Sequence, residues 1–243
     1  MPEPHIELRH VRREFRGGAG VHGVDLSIAA GEVHALVGLN GAGKTTLMRL
    51  MLGMLRPTAG EVLIDGIRID GLPTTAWARV GQLVENALAN GELDVRSNLR
   101  LAARLHGASR GQATVIADAA IDELHLARYA RVRARRLSLG NRQRLGLAAA
   151  IQHDPNLIVL DEPTNGLDPA GVILLREAIT RRAAGGAAVF VSSHHLDEVA
   201  RIADRISVIN HGVLIGTLDP NTVDLERAFF SLVHADDTSR SVA

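Results

Sequence analysis

Gly38-Leu39-Asn40-Gly41-Ala42-Gly43-Lys44-Thr45 has the spacing G-x-x-x-x-G-K-[ST] of a phosphate-binding loop. Its glycines let the backbone curl so that successive N–H groups point inward at an anion. The helix expected to follow adds its positive N-terminal end. Lys44 is the only lysine of the chain, and every other one of its 27 basic side chains is arginine. A compact ammonium on a flexible stem reaches phosphate oxygens that a planar guanidinium fits badly. Thr45 offers a hydroxyl to Mg²⁺.

The flanks give the loop its context. Upstream, Val33-His34-Ala35-Leu36-Val37 is a short apolar run and reads as a buried strand. Downstream, Thr46 to Leu52 places apolar residues at helical spacing, and Gly53 ends the run. Further strands are expected at Ile6–Val11, Val21–Ile28, Glu61–Ile64 and residues 79–84. In the second of these Val24, Leu26 and Ile28 alternate with Asp25 and Ser27, the pattern of one buried face. Ser97 to Leu126 reads as helical. Strand and helix alternate again from Leu157 to about Ile209, as in a parallel sheet with crossover helices. Residues 224–233 read as a short amphipathic helix, and Asp236 onward as a polar, frayed tail.

Composition excludes several classes. Charges balance at 27 basic and 27 acidic residues, so no overall field argues for nucleic acid or a membrane surface. With no cysteine there is neither a disulfide framework nor a thiolate metal site, and the histidines lack metal-ligand spacing. The N-terminus does not read as a signal peptide, and no stretch approaches 18 uninterrupted apolar residues. The expectation is a soluble, cytoplasmic α/β chain. The basic segment from Arg128 to Arg136 has a single aromatic and reads as a solvated face or a contact with a partner or lipid. Trp77 is expected to pack in the core.

The second half carries carboxylates. Leu157-Ile158-Val159-Leu160 leads into Asp161-Glu162, and ligands of such folds collect at the carboxyl ends of the strands. Asp161 can hold Mg²⁺, directly or through water. Glu162 can accept a proton from an attacking water. Val189-Phe190-Val191 is a further buried strand and ends in Ser192-Ser193-His194.

With Leu137-Ser138-Leu139-Gly140-Asn141-Arg142-Gln143-Arg144 placed about 20 residues before Asp161, and a loop through Asp168, the chain resembles the ATP-binding subunits of ABC transporters from about His5 to Val233. The resemblance implies a P-loop NTPase core with a parallel sheet, an N-terminal antiparallel β subdomain and an inserted α-helical subdomain. It implies a single ATP-binding domain over 5–233, divided into 5–85, a helical part at 86–136, a second core part at 137–212 and a closing strand and helix at 213–233, with a polar tail at 234–243. It also implies roles. Lys44 and the amides from Gly38 to Thr46 would hold the phosphates, and Thr45 and Asp161 would serve Mg²⁺. Glu162 would polarise the water, and His194, rather than the adjacent His195, would contact the γ-phosphate. Phe15 would lie against the adenine. The loop through Asp168 would join the nucleotide site. Ser138 and Gly140 would act in trans, in a head-to-tail dimer holding two ATP molecules. The implied partners are a separate membrane permease and a second copy or a similar ATPase, at the cytoplasmic face of the cell membrane, with no nucleic acid.

Three positions depart from the family's pattern. Counted from Val80-Gly81, Glu85 replaces a glutamine and adds negative charge beside a triphosphate. Leu139 stands for glycine and Asn141 for glutamine. Together with the ending Leu225 to Leu232 they resemble the branch that exports drugs, peptides or other antimicrobial compounds. An import ATPase and a regulatory ATPase with weak hydrolysis are the alternatives.

Overall fold

Five consecutive buried residues make β3 (Val33–Val37), and a strand apolar on both faces must sit inside a parallel sheet. In the computed structural model, which describes residues 4–85 and 89–242, β3 pairs in parallel with β8 (Ala188–Ser193) and with β9 (Arg205–Asn210). The β9 strand turns back antiparallel into β10 (Val213–Leu218), giving the order β10-β9-β3-β8. A separate antiparallel sheet has the order β2-β1-β4-β5, built from β1 (Pro4–Glu14), β2 (Gly20–Ala29), β4 (Ala59–Ile64) and β5 (Ile67–Arg68). In β2 the alternation read from Val24, Leu26 and Ile28 is the buried face. These strands, with α1 (Lys44–Met51), α6 (Leu196–Ala200) and α7 (Leu225–Val242), form one compact unit from the residues before Pro73 and after Ala187.

The other unit, Pro73–Ala187, holds β6 (Val80–Leu83) in parallel with β7 (Leu157–Leu160). Its helices are α2 (Val95–Leu105), α3 (Arg110–Glu123), α4 (Leu139–Ile151) and α5 (Pro169–Ala184). Asp94 caps α2 by accepting from Ser97 N–H at 2.7 Å. The buried Asn98 donates to the carbonyls of Asn90, Leu93 and Asp94, which fixes the approach to that helix. A bidentate pair of Arg182 with Glu123, at 2.7 and 3.1 Å, ties α5 to the end of α3. The expected start of the helical part, at 86, lies outside the described residues.

Two expectations are corrected. The C-terminal helix does not stop near 233 but runs through Val242. The reason is long-range: the buried Asn210 donates its side-chain N–H groups to Asp236 at 2.9 Å and Asp237 at 2.8 Å, and Arg240 pairs with Asp236. Trp77 is only half-buried, in a 3₁₀ turn at Ala76–Arg79, and is not a core side chain. Phe15, expected against the adenine, is exposed on the loop after β1, with Arg13 5.2 Å from its centroid.

Candidate active site

The phosphate loop joins β3 to α1. Gly41 and Gly43 both have positive φ, and Gly43, at 110°, is the N-cap of α1 with no side chain over its amides. A Cβ on Gly38 would stand 2.4 Å from the Ile209 carbonyl oxygen, so only glycine lets the loop pass this close to β9. The β9–β10 turn braces it further, since Gly212 N–H donates to Ala42 O at 2.9 Å. Lys44 is buried at 7% exposure, and its Nζ donates to Gly38 O at 2.7 Å. The ammonium is thereby held against the mouth of its own loop, the position from which it can reach a phosphate. Ala42 N–H closes the loop onto Leu39 O at 3.1 Å, while Leu39 and Asn40 face solvent. Thr45 and Thr46 are half-buried in the first turn of α1.

In the same unit, β8 ends at Ser193 and delivers His194 to an exposed position. His195 N–H is anchored on Ser193 Oγ at 2.9 Å, and the two imidazoles lie 4.0 Å apart. Gly38, Leu39 and His194 line one cavity of about 440 Å³ with α7 residues Phe229 and Phe230.

The other unit carries the carboxylates. β7 is wholly buried and ends in Asp161, which is 9% exposed and whose N–H donates to Leu83 O at 2.7 Å. Glu162 follows in the left-handed region, at φ 47°. That turn lifts the next carboxylate out of the strand direction, so neighbouring acids take different environments: one buried, one half-exposed. Glu85, exposed after β6, is also left-handed, at φ 67°. Gln82 lies on β6 itself.

Ser138 is the N-cap of α4. Its Oγ accepts from Asn141 N–H at 3.3 Å and from the Asn141 side chain at 2.9 Å, so the asparagine that departs from the family pattern strengthens the cap. The first turn of α4 holds no acidic residue, which leaves its positive end uncompensated. A Cβ on Gly140 would meet Gly166 O at 2.5 Å. Leu139 is 64% exposed, so it leaves the helix start intact. Asp168 caps α5, accepting from Gly171 N–H at 2.9 Å, with Pro169 at the first helical position. That backbone bond, followed by the pairing with Arg144, holds the Asp168 carboxyl below its ordinary value.

Sequence reasoning missed two ties. Arg144 pairs with Asp168, and Gln143 Nε2 donates to Pro163 O at 3.2 Å, so α4 grips the loop that follows Glu162. The pattern Asp168-Pro169 was the available signal: an N-cap followed by proline marks a helix start and hence an aspartate with an oriented side chain.

Thr45 and Asp161 are hard oxygen donors. Among the described residues no three Asp, Glu, His or Cys converge into a metal cage. Each of the two donors, in its own unit, is of the type magnesium takes, since that ion keeps waters and is held by one or two carboxylates together with substrate phosphates.

The sequence profile of the family described as ABC transporter matches residues 21–165. The chain is 36% identical over 221 residues to the daunorubicin resistance ATP-binding protein DrrA3 of Streptomyces coeruleorubidus, covering 90% of this chain and 70% of that protein. It is 36% identical over 211 residues to the bacitracin transport ATP-binding protein BcrA of Enterococcus faecalis, covering 86% and 68%. A solved ATP-binding subunit of an ABC transporter superposes with a TM-score of 0.81 at 28% identity, over 94% of each chain.

Proposed function

The chain belongs to the ABC transporter family as an ATP-binding, ATP-hydrolysing subunit, and from that premise we propose that it drives export of a drug, antibiotic or peptide through a separately encoded membrane permease. Lys44 and the amides from Gly38 to Thr46 bind the phosphates of ATP, and Phe15 stacks on the adenine. Thr45 and Asp161 hold magnesium, which when bound neutralises charge on the β- and γ-phosphates. Glu162 orients the attacking water and accepts its proton. His194 contacts the γ-phosphate, with Glu85 and the loop through Asp168 closing the site. Residues 5–233 act as a single ATP-binding domain with 86–136 as its helical part.

Two ATPase subunits close head to tail, each offering Ser138 and Gly140 to the other's ATP. The observation that carries this reading is the start of α4: a capped helix with an uncompensated positive end and no room for a side chain at Gly140. Such an end favours ATP over ADP, because only ATP brings a γ-phosphate to it. Closure is then tied to binding and reopening to hydrolysis. Among the described residues no helix is long and apolar enough to cross a membrane; in the proposed assembly the permease supplies the membrane span and this chain sits at its cytoplasmic face. Homology to drug resistance and bacitracin transport ATP-binding proteins supports the direction of transport and the class of cargo.

The test is isolation of the Glu162→Gln variant from its native membrane with ATP. The substitution keeps the side chain's size and removes the base, so turnover should fall by about a hundredfold or more while a closed dimer accumulates. Co-isolation of a multi-span membrane protein is the expected outcome. Unchanged turnover would remove Glu162 from its role, and a ribosomal or nucleic-acid partner would end the transport reading.

A further inference from the structure

A second cavity lies far from the ATP-binding motifs in sequence. Ser97, Arg100, Leu101 and Arg104 of α2 face Arg110 and Ala113 of α3 across a groove of about 380 Å³. Every ionisable side chain lining it is an arginine. Some arginines of this unit find carboxylates, Arg96 pairing with Asp118 at 2.6 Å, Arg135 with Glu92 at 2.9 Å, and Arg182 with Glu123, while others stand singly on the surface. Arg100, Arg104 and Arg110 have no carboxylate partner among the described residues. Arg100 and Arg104 stand one turn apart, on the same face of α2. The start of α3 lies on the same groove: a capping box of Ser109 and Gln112 takes up two of its amides, and its first turn contains Arg110 and no acidic residue.

Three guanidiniums converging without counter-charge repel one another, and an anion in the groove relieves that repulsion. Donors approach from both walls, and the Ser97 hydroxyl lines the same space. Such a set suits a tetrahedral anion with several acceptor oxygens better than a planar carboxylate. Beside the arginine row, Leu101 and Leu105 form an apolar row that is 44% and 78% exposed. Cations next to exposed leucines on one helix face match the boundary of a bilayer, where headgroup phosphate and acyl chain are adjacent.

We propose that this groove binds a phosphate group, with an anionic phospholipid headgroup as its source. The full chain is mixed with phosphatidylcholine vesicles with and without phosphatidylglycerol, and separately titrated with glycerol phosphate. The same is done with the triple variant Arg100→Gln/Arg104→Gln/Arg110→Gln. The expected result is sedimentation with the phosphatidylglycerol vesicles alone, weakened about fivefold by each substitution and about a hundredfold by all three. Retained ATP binding by the variant shows that it is folded. Glycerol phosphate binding that the triple substitution abolishes, without vesicle binding, keeps the phosphate site and assigns it a soluble ligand. Equal vesicle binding by wild type and variant, no binding of either probe, or capture of polyglutamate in place of both overturns the proposal. Its failure leaves the ATP site untouched, because none of its residues belongs to that site.

Discussion

Glu162 combines a chemical role with a backbone conformation that L-residues avoid. A left-handed glutamate costs about 1–2 kcal/mol, and Glu162 sits there at φ 47°. Five of the other left-handed non-glycine residues are His or Asp; Glu85 is the remaining one, so the two glutamates assigned to the nucleotide site share the strain. Asparagine visits this region readily. Glu162→Asn is therefore expected to raise stability by up to about 1 kcal/mol while abolishing ATP turnover. Urea midpoints beside turnover rates check this, and an unchanged or lowered midpoint would mean that the turn carries no strain. The phosphate loop was legible residue by residue because its spacing is local and its glycines are required by geometry. The twist at Glu162 was not, since residue type gives no sign of a conformation imposed by the surrounding fold. The Arg144–Asp168 pair was hidden by a separation of 24 positions.

Strands and helices around the loop were read within a few residues, because each buries a continuous or periodic apolar set that the sequence displays directly. β3, β7 and β8 are buried along their whole length. Periodicity failed at the end of α7, where residues 234–242 have almost no apolar face to bury and the helix is held by polar contacts instead. The holding group is Asn210, buried at 4% exposure, with both of its donor bonds going to Asp236 and Asp237. Replacing both aspartates by alanine would leave that amide unsatisfied, at a cost of about 1–3 kcal/mol. Hydrogen exchange should then show fraying from about His234 onward, with protection of β9 lowered by the same amount. Unaltered exchange along α7 would show that the helix end is held by its own propensity.

Across the whole molecule, both units bury imidazoles that are neutral when folded. His34, 1% exposed, sits with Ser207 Oγ 2.8 Å from its Nε2 and Phe190 edge-on at 5.7 Å. Burial, reinforced by the charge of Arg205, lowers it to about 3; Glu32, at 3.6 Å from Nδ1, does not offset this. In the other unit His153 stacks on His106 with ring centroids 3.6 Å apart, and burial followed by its neighbour lowers it to about 4. Unfolded histidines take up a proton near pH 6.5, whereas these folded ones do so only near 3 and 4. Below pH 6.5 the unfolded chain therefore binds more protons, and acidification favours it. The full stability is present above that pH and declines as pH falls toward the folded values. The slope from His34 grows from about 0.7 kcal/mol per pH unit at pH 6.5 to about 1.4 near pH 5, and His153, whose two ring nitrogens are buried, adds a share of the same sign. Carboxylates such as Asp168, already below 3.8, titrate lower, so the range from about pH 6.5 to 5 isolates the histidines. Denaturant unfolding across that range should show the decline, and His34→Gln should remove about 0.7 kcal/mol per pH unit from its slope at pH 6.5, rising to about 1.4 near pH 5. If the substitution left the slope unchanged, His34 would already be charged in the folded protein, and a partner for that charge would have to be sought beside Glu32.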